Sequence, residues 1–390
     1  MANISFSSSF LKRFSLLNDI NNLPDDVLEK IFFQLSYKST VKCKCVCKRW
    51  FQLLSIPYFS TQFVSRQHSL SKAIFTFISP HQLMLAFPPL DFESNTQTQK
   101  APLFPNHMPI KGNVCGYSNG LFLCCTGRYT SGQGYFVYDP LTKECTHIAP
   151  FPDTNKEAHM FAVGFISETT NSTRHFLVVI VNSFIRRLSH FRIKVFLSES
   201  SKWFIIYMSC LNGFAFAPQW MLSLAHKGNL YFMGATSILV INCISVGCHT
   251  IDYPEDANVM NIVSFGYLGC SGGTLKIAYI SDDNHLRMWE LISQAEDTTQ
   301  NNFYQTWQLV HMTNLSMHLP TKFCVNYFKR VGGFHPYDGD IVYLHSFIDG
   351  IFVANLRTNK FEYIPGYDKF DISPFQLELP LPPPLSSTNN

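Results

Sequence analysis

Two hydrophobic rhythms divide this chain. From about Ile20 to Phe59 the apolar residues recur at helical spacing. Val27, Leu28, Ile31, Phe32 and Leu35 form one stripe, with Glu29, Lys30 and Gln34 mostly off it. Pro24 fits the first helical position, where its missing N–H is not needed, and Asp25 and Asp26 favour the positive end of the helix dipole. Ser36 to Ser39 break the stripe. Ser39 or Thr40 then serves as N-cap of a second helix carrying Val41 and Val46. Trp50, Phe51, Leu53 and Leu54 make a third apolar group, which Pro57 ends. Three short amphipathic helices in roughly 40 residues bury little on their own, so their remaining apolar positions predict a partner.

From Leu70 onward the period changes to that of strands. A glycine feeds an alternating segment at Gly120, Gly228, Gly273 and Gly339. Tyr135–Thr142 matches Ile351–Thr358 in pattern: each places an Asx residue and a threonine around a tight corner, then returns through Cys145–Ile148 or Phe361–Ile364. Further strands are expected at Phe176–Val181, Phe191–Leu197 and Trp203–Tyr207, and Lys72–Phe87 supplies a first unit. Spacings of roughly 45–65 residues, with several strands per unit, fit propeller blades better than sandwich strands. The fold class is therefore multidomain, α then all-β, with about six or seven blades. The divisions are a lead-in over 1–19, a helical module over 20–60, the β domain over 68–370 and a proline-rich tail over 371–390 that favours polyproline II. The tail could enter an SH3-type groove or be a disordered terminus.

Composition adds little that is specific. The net charge of +3 predicts neither nucleic acid nor membrane as a partner. The 12 cysteines follow no regular framework and many sit in apolar runs, where a thiol packs as a small hydrophobe. With no signal peptide in Met1–Ser15 and no apolar run long enough to span a bilayer, an intracellular location is expected, in cytoplasm and/or nucleus. The sequons at Asn3, Asn171 and Asn314 are then chance matches.

The run Leu23-Pro24-x-x-Val27-Leu28-x-x-Ile31-Phe32-x-x-Leu35, followed by Val46-Cys47-Lys48-Arg49-Trp50, closely resembles the F-box motif from end to end. Phe32 departs from it, standing where a smaller aliphatic residue is more usual, but the site stays apolar. The resemblance implies binding to the Skp adaptor, and through it to a cullin, with Leu23, Pro24, Val27, Leu28, Ile31, Phe32, Leu35, Val46 and Trp50 as the adaptor-facing residues. Some of these must instead pack helix on helix, and the sequence does not separate the two roles. The region after the motif resembles the F-box-associated and kelch-like propellers of plant F-box proteins, with Gly332-Gly333 as one remnant of a kelch repeat. The implied function is substrate recognition for an SCF-type ubiquitin ligase, with no catalytic residue, cofactor or metal in this chain. The target protein is not identifiable, and the polar stretches Asp153–His159 and Ala295–Gln305 are candidate target loops.

Other chemistries fit the residues less well. Gly269-Cys270-Ser271-Gly272-Gly273 matches G-x-S-x-G, but a nucleophile elbow needs a helix after the serine, and Leu275, Ile277 and Tyr279 alternate as a strand. Cys43, Cys45 and Cys47 at alternate helical positions cannot converge on one metal ion. Lys38, Lys42, Lys44, Lys48 and Arg49 form a basic cluster that reads as a solvated face beside an acidic partner. No histidine pair sits at ligand spacing with a carboxylate nearby. Two alternatives stay open: a propeller with an enzymatic or ligand-binding activity, and a Skp-binding regulatory protein outside a full ligase.

Overall fold

In the computed structural model the described residues are 20, 23–35, 43–44, 46–56, 59, 74–79, 82–86, 100–102, 113–126, 134–139, 144–151, 161–170, 173–182, 184–217, 223–295, 303–324, 329–335, 338–346, 350–364 and 373–377. The chain divides into two compact units, Met1–Ser71 with Leu381–Asn390, and Lys72–Pro380.

The first unit contains helix α1 (Asp25–Gln34) and helix α2 (Lys48–Ser55). The expected middle helix falls largely outside the described residues. Pro24 stands one position earlier than expected: it is the N-cap, and its carbonyl accepts from the amides of Val27 and Leu28 at 3.1 and 3.0 Å. The dipole argument holds, because Asp25 and Asp26 occupy the first turn.

Among the described residues the second unit is built mainly of antiparallel four-stranded sheets. Five follow one another along the chain. The first joins β4 (Asn113–Ser118), β5 (Leu121–Cys125), β6 (Tyr135–Tyr138) and β7 (Cys145–Ile148). The second joins β8 (Phe161–Thr170), β9 (Thr173–Asn182), β10 (Leu188–Leu197) and β11 (Lys202–Phe214). The third joins β12 (Ser223–His226), β13 (Asn229–Met233), β14 (Ser237–Asn242) and β15 (Gly247–Asp252). The fourth joins β16 (Tyr267–Ser271), β17 (Thr274–Ile280), β18 (His285–Ala295) and β19 (Phe303–Asn314). The fifth joins β20 (Lys329–Phe334), β21 (Ile341–Ser346), β22 (Gly350–Asn355) and β23 (Lys360–Ile364). A composite sheet pairs β24 (Ser373–Leu377) with β1 (Ile74–Ser79), β2 (Gln82–Ala86) and β3 (Lys100–Pro102).

These are propeller blades, but five are built from consecutive strands, which corrects the expected six or seven. The blades start at Asn113, Phe161, Ser223, Tyr267 and Lys329, close to the expected spacing, and the excess came from counting the stretches before Asn113 and after Ile364 as further blades. β24 also falls within the stretch assigned to the proline-rich tail.

Local chemistry explains the blades. Ser118 pairs with Leu121 across a two-residue turn in which Asn119 and Gly120 both take positive φ (45° and 82°), the geometry that matches the strand twist. Gly272 and Gly273 do the same between Ser271 and Thr274, so the G-x-S-x-G run is a hairpin. The anticipated Asx corner is present at Asn355, whose Oδ1 accepts from the Thr358 amide at 3.0 Å. Gly332-Gly333 lies at a register shift in β20, a bulge.

The core lies between neighbouring blades. Leu123 and Val137 pack with Val163, Phe165, Val178 and Phe196, and Val240 and Ile251 pack with Ile277 and Trp289. Two polar devices recur at these seams. Ser118 Oγ accepts from the Ser167 amide at 3.0 Å while Ser167 Oγ donates to the Ser118 carbonyl at 2.7 Å; Ser271, at the same strand-end position of a later blade, donates to the His335 carbonyl. The indoles of Trp203 and Trp307 donate to the carbonyls of Ala149 and Asp252, at 2.6 and 2.8 Å. Each indole ties the outer strand of one blade to the C-terminal end of the outer strand of the blade before.

Candidate functional site

Helix α1 has two apolar sides. Leu28 and Phe32, four residues apart, are buried at 0% and 1% exposure and lie with Trp50, Leu53, Leu54 and Phe59 in one core. Leu23, Leu35, Cys43 and Cys47 pack around its edge. The Phe32 and Trp50 rings meet edge to face, and the Phe33 and Phe59 rings stack at 4.6 Å. On the other side Pro24, Val27 and Ile31 fall at i, i+3 and i+7, which aligns them along the helix. Pro24 is exposed, Val27 and Ile31 are half-buried, and neither Val27 nor Ile31 belongs to the core cluster. Val46, just before α2, is 59% exposed.

The nine sequence-derived residues therefore fall into three groups. Leu28, Phe32 and Trp50 form the core between the helices, Leu23 and Leu35 border it, and Pro24, Val27, Ile31 and Val46 present apolar surface. Two further exposed aliphatic side chains in this unit, Ile20 and Ile56 (both 42% exposed), escaped the sequence reading because neither continues the stripe of α1.

Arg49 fastens the two helices. Its Nε and Nη2 donate to Asp25 Oδ1 at 2.9 and 2.5 Å, and Nη2 also donates to the Leu23 carbonyl at 2.6 Å. Within the basic cluster, Lys38 and Lys42 lie outside the described residues. Burial lowers the Lys44 pKa below its usual value and raises that of the Cys43 thiol. That leaves Lys48 as the exposed member of the described part of the cluster. Cys43 and Cys47 act as packing residues, and Cys45 is outside the described set. Among the described residues no three His, Cys, Asp or Glu side chains are grouped to hold a metal ion, there is no disulfide, and no helix is long and apolar enough to cross a membrane. Both candidate target loops are for the most part outside the described residues.

Comparison with known proteins agrees with this geometry. Residues 20–62 match the F-box domain, and residues 98–371 match the family described as "F-box protein At3g26010-like, beta-propeller". Among curated proteins of Arabidopsis thaliana, F-box protein At5g07610 is 32% identical over 127 residues, covering 31% of this chain and 30% of that protein. Putative F-box protein At5g38810 is 27% identical, covering 35% and 45%, and F-box protein At1g47340 is 22% identical, covering 69% and 61%. The chain thus spans less than two thirds of each of these relatives. The propeller match takes in more than half of the chain, which therefore belongs to the At3g26010-like family of F-box proteins, with an F-box domain at its N-terminus followed by a β-propeller.

Proposed function

We propose that this protein is the substrate-recognition subunit of an SCF-type ubiquitin ligase, acting inside the cell in cytoplasm and/or nucleus. The observation that carries the reading is the succession in one chain of an F-box over 20–62 and a propeller over 98–371. The F-box holds a Skp-type adaptor, and through it a cullin, while the propeller holds a target protein. Transfer is accelerated by proximity: a target lysine held near the ubiquitin-loaded enzyme reacts at a raised effective concentration, with no catalytic group supplied by this chain. The adaptor rests on Pro24, Val27, Ile31 and Val46. Leu28, Phe32 and Trp50 shape that surface from beneath, and Leu23 and Leu35 hold its edges.

The test is capture of purified full-length chain by a Skp-type adaptor and cullin, alongside an Ile31→Glu, Val46→Glu variant. Both substitutions fall on the surface group, so the fold survives them, which circular dichroism checks. The native chain is expected to capture adaptor and cullin and the variant neither. A folded native chain that captures no adaptor overturns the reading, and adaptor without cullin overturns its ligase part.

A further inference from the structure

Charge is distributed unevenly along the propeller. From Thr169 to Ile251 the sequence carries seven lysines and arginines but a single carboxylate, Glu199. The net charge of the whole chain is only +3, so this excess is local.

The outer hairpin β10–β11 displays part of it. Arg192 lies directly across from Tyr207, and His190 across from Ser209, with Ser209 Oγ and His190 Nε2 3.4 Å apart. Strand alternation puts Arg192, His190 and Tyr207 on one face. That face is open, with Tyr207 82% exposed, and Leu211, within the register shift of β11, is 97% exposed. Where the hairpin begins, Ile185 is 78% exposed beside the exposed Arg186. Neither Arg186 nor Arg192 has an ion-pair partner among the described residues. The single acid of the stretch, Glu199, stands at the far end of the hairpin, 3.5 Å from His175.

Exposed side chains of this size, grouped on one strand pair, mark an interaction surface. Tyrosine and arginine are also the residue types that most often anchor interfaces. The unneutralised guanidinium groups select the sign of the partner, and the leucine and isoleucine select its apolar part. A nucleic-acid strand would want several aromatic planes for stacking, and this face carries one tyrosine and one histidine.

We propose that the β10–β11 hairpin is a docking surface for an acidic segment of a partner protein, one that carries a large apolar residue beside its carboxylates. This deepens the substrate-receptor reading by naming the chemistry of what the propeller holds. Binding at the hairpin does not require the F-box, so the two can fail separately.

The probe is a pool of short peptides randomised over Asp, Glu, Leu, Tyr, Ser and Gly, against a matched pool with Asn and Gln replacing the acids. Binding to the full chain is read by fluorescence anisotropy at low and high salt. The acidic pool is expected to bind at least about tenfold more tightly than the amide pool, and to weaken with salt. An Arg186→Glu, Arg192→Glu variant and a Tyr207→Ala variant are each expected to lose binding. Lys360→Glu, an exposed charge reversal on another blade, keeps it. Equal binding of both pools, retention in the hairpin variants, or an equal loss in Lys360→Glu overturns the proposal. So does RNA binding, anionic-vesicle binding or self-association that the hairpin variants abolish while the acidic pool is unaffected. Adaptor capture on the same samples shows whether the substrate-receptor reading stands independently.

Discussion

The Trp50 ring meets the Phe32 ring edge-on, with centroids 4.9 Å apart and planes inclined by 69°. This contact joins the third apolar group of the N-terminal module to the first, across the residues that separate α1 from α2. Both side chains are buried, so they act on the module from within rather than at its surface. Phe32→Ala is expected to destabilise the module by about 3–5 kcal/mol, the usual cost of emptying a buried aromatic site. Hydrogen exchange should show lost protection in α1 and α2 and no loss across the propeller strands. Full protection in α1 and α2 would mean the contact is dispensable. Adaptor capture should fall as well, but through unfolding, whereas the Ile31→Glu, Val46→Glu variant is expected to lose capture while folded.

The pair between Asp25 and Arg49 is expected to contribute little. Their side chains are 58% and 38% exposed, and exposed pairs yield about 0–1 kcal/mol. A double-mutant cycle with Asp25→Asn and Arg49→Gln should give a coupling energy under about 1 kcal/mol that shrinks with salt. The Arg49 change should cost more than the Asp25 change, because it also strips the Leu23 carbonyl of its donor.

Gly234 is expected to tolerate no side chain. A Cβ there would sit 2.6 Å from the Ala215 carbonyl oxygen and overlap the Phe214 ring. The backbone cannot retreat, since the Gly234 carbonyl accepts from Tyr253 Oη at 2.8 Å and the next amide, Ala235, donates to Ala215 at 2.9 Å. Gly234→Ala should lower propeller stability by about 1–3 kcal/mol, seen as a lower thermal midpoint. An unchanged midpoint would show that the seam between the second and third blades yields.

Acid should weaken the propeller in two steps. Burial lowers the His335 pKa from its usual value to about 4, and its Nδ1 accepts from the Asp338 amide at 2.9 Å, so protonation there breaks a hydrogen bond. Between about pH 6.5 and pH 4 the unfolded chain binds this proton and the folded chain does not, so stability falls with pH across that window. Asp340 follows below the usual carboxylate range. Burial pushes its pKa up, but hydrogen bonds from His311 and Arg357 outweigh that and hold it down. The stability it contributes is lost only as pH falls through its lowered value. Denaturation midpoints of native protein and His335→Gln, measured from pH 7.5 to 4.5, should converge toward the acid end. Parallel curves would remove His335 from the account.

The N-terminal module was legible as an F-box because its motif is local: the spaced run from Leu23 to Leu35 and the run from Val46 to Trp50 lie close together in one short stretch. Hairpins were legible where a turn residue announced them, as at Gly120 and Asn355. The seam devices were not. Trp203 and Trp307 act alike, but they lie 104 positions apart in strands of unlike sequence, so no repeat pointed to them. The basic hairpin face also went unread, because a net charge of +3 averages it away.

By itself, the sequence determined that this chain is a helical F-box followed by blades of antiparallel strands. The helices and strands follow from hydrophobic period and turn chemistry, which act between residues near in sequence, and the F-box from the motif that the N-terminal residues resemble. Only the tertiary structure decided how the apolar residues of α1 divide, with Leu28 and Phe32 turned to the core and Pro24, Val27 and Ile31 away from it. A stripe wider than one contact face looks uniform in sequence until a second helix covers part of it. The same holds for the composite sheet. That β24 pairs with β1, some 300 residues earlier, is a non-local pairing that no periodicity encodes.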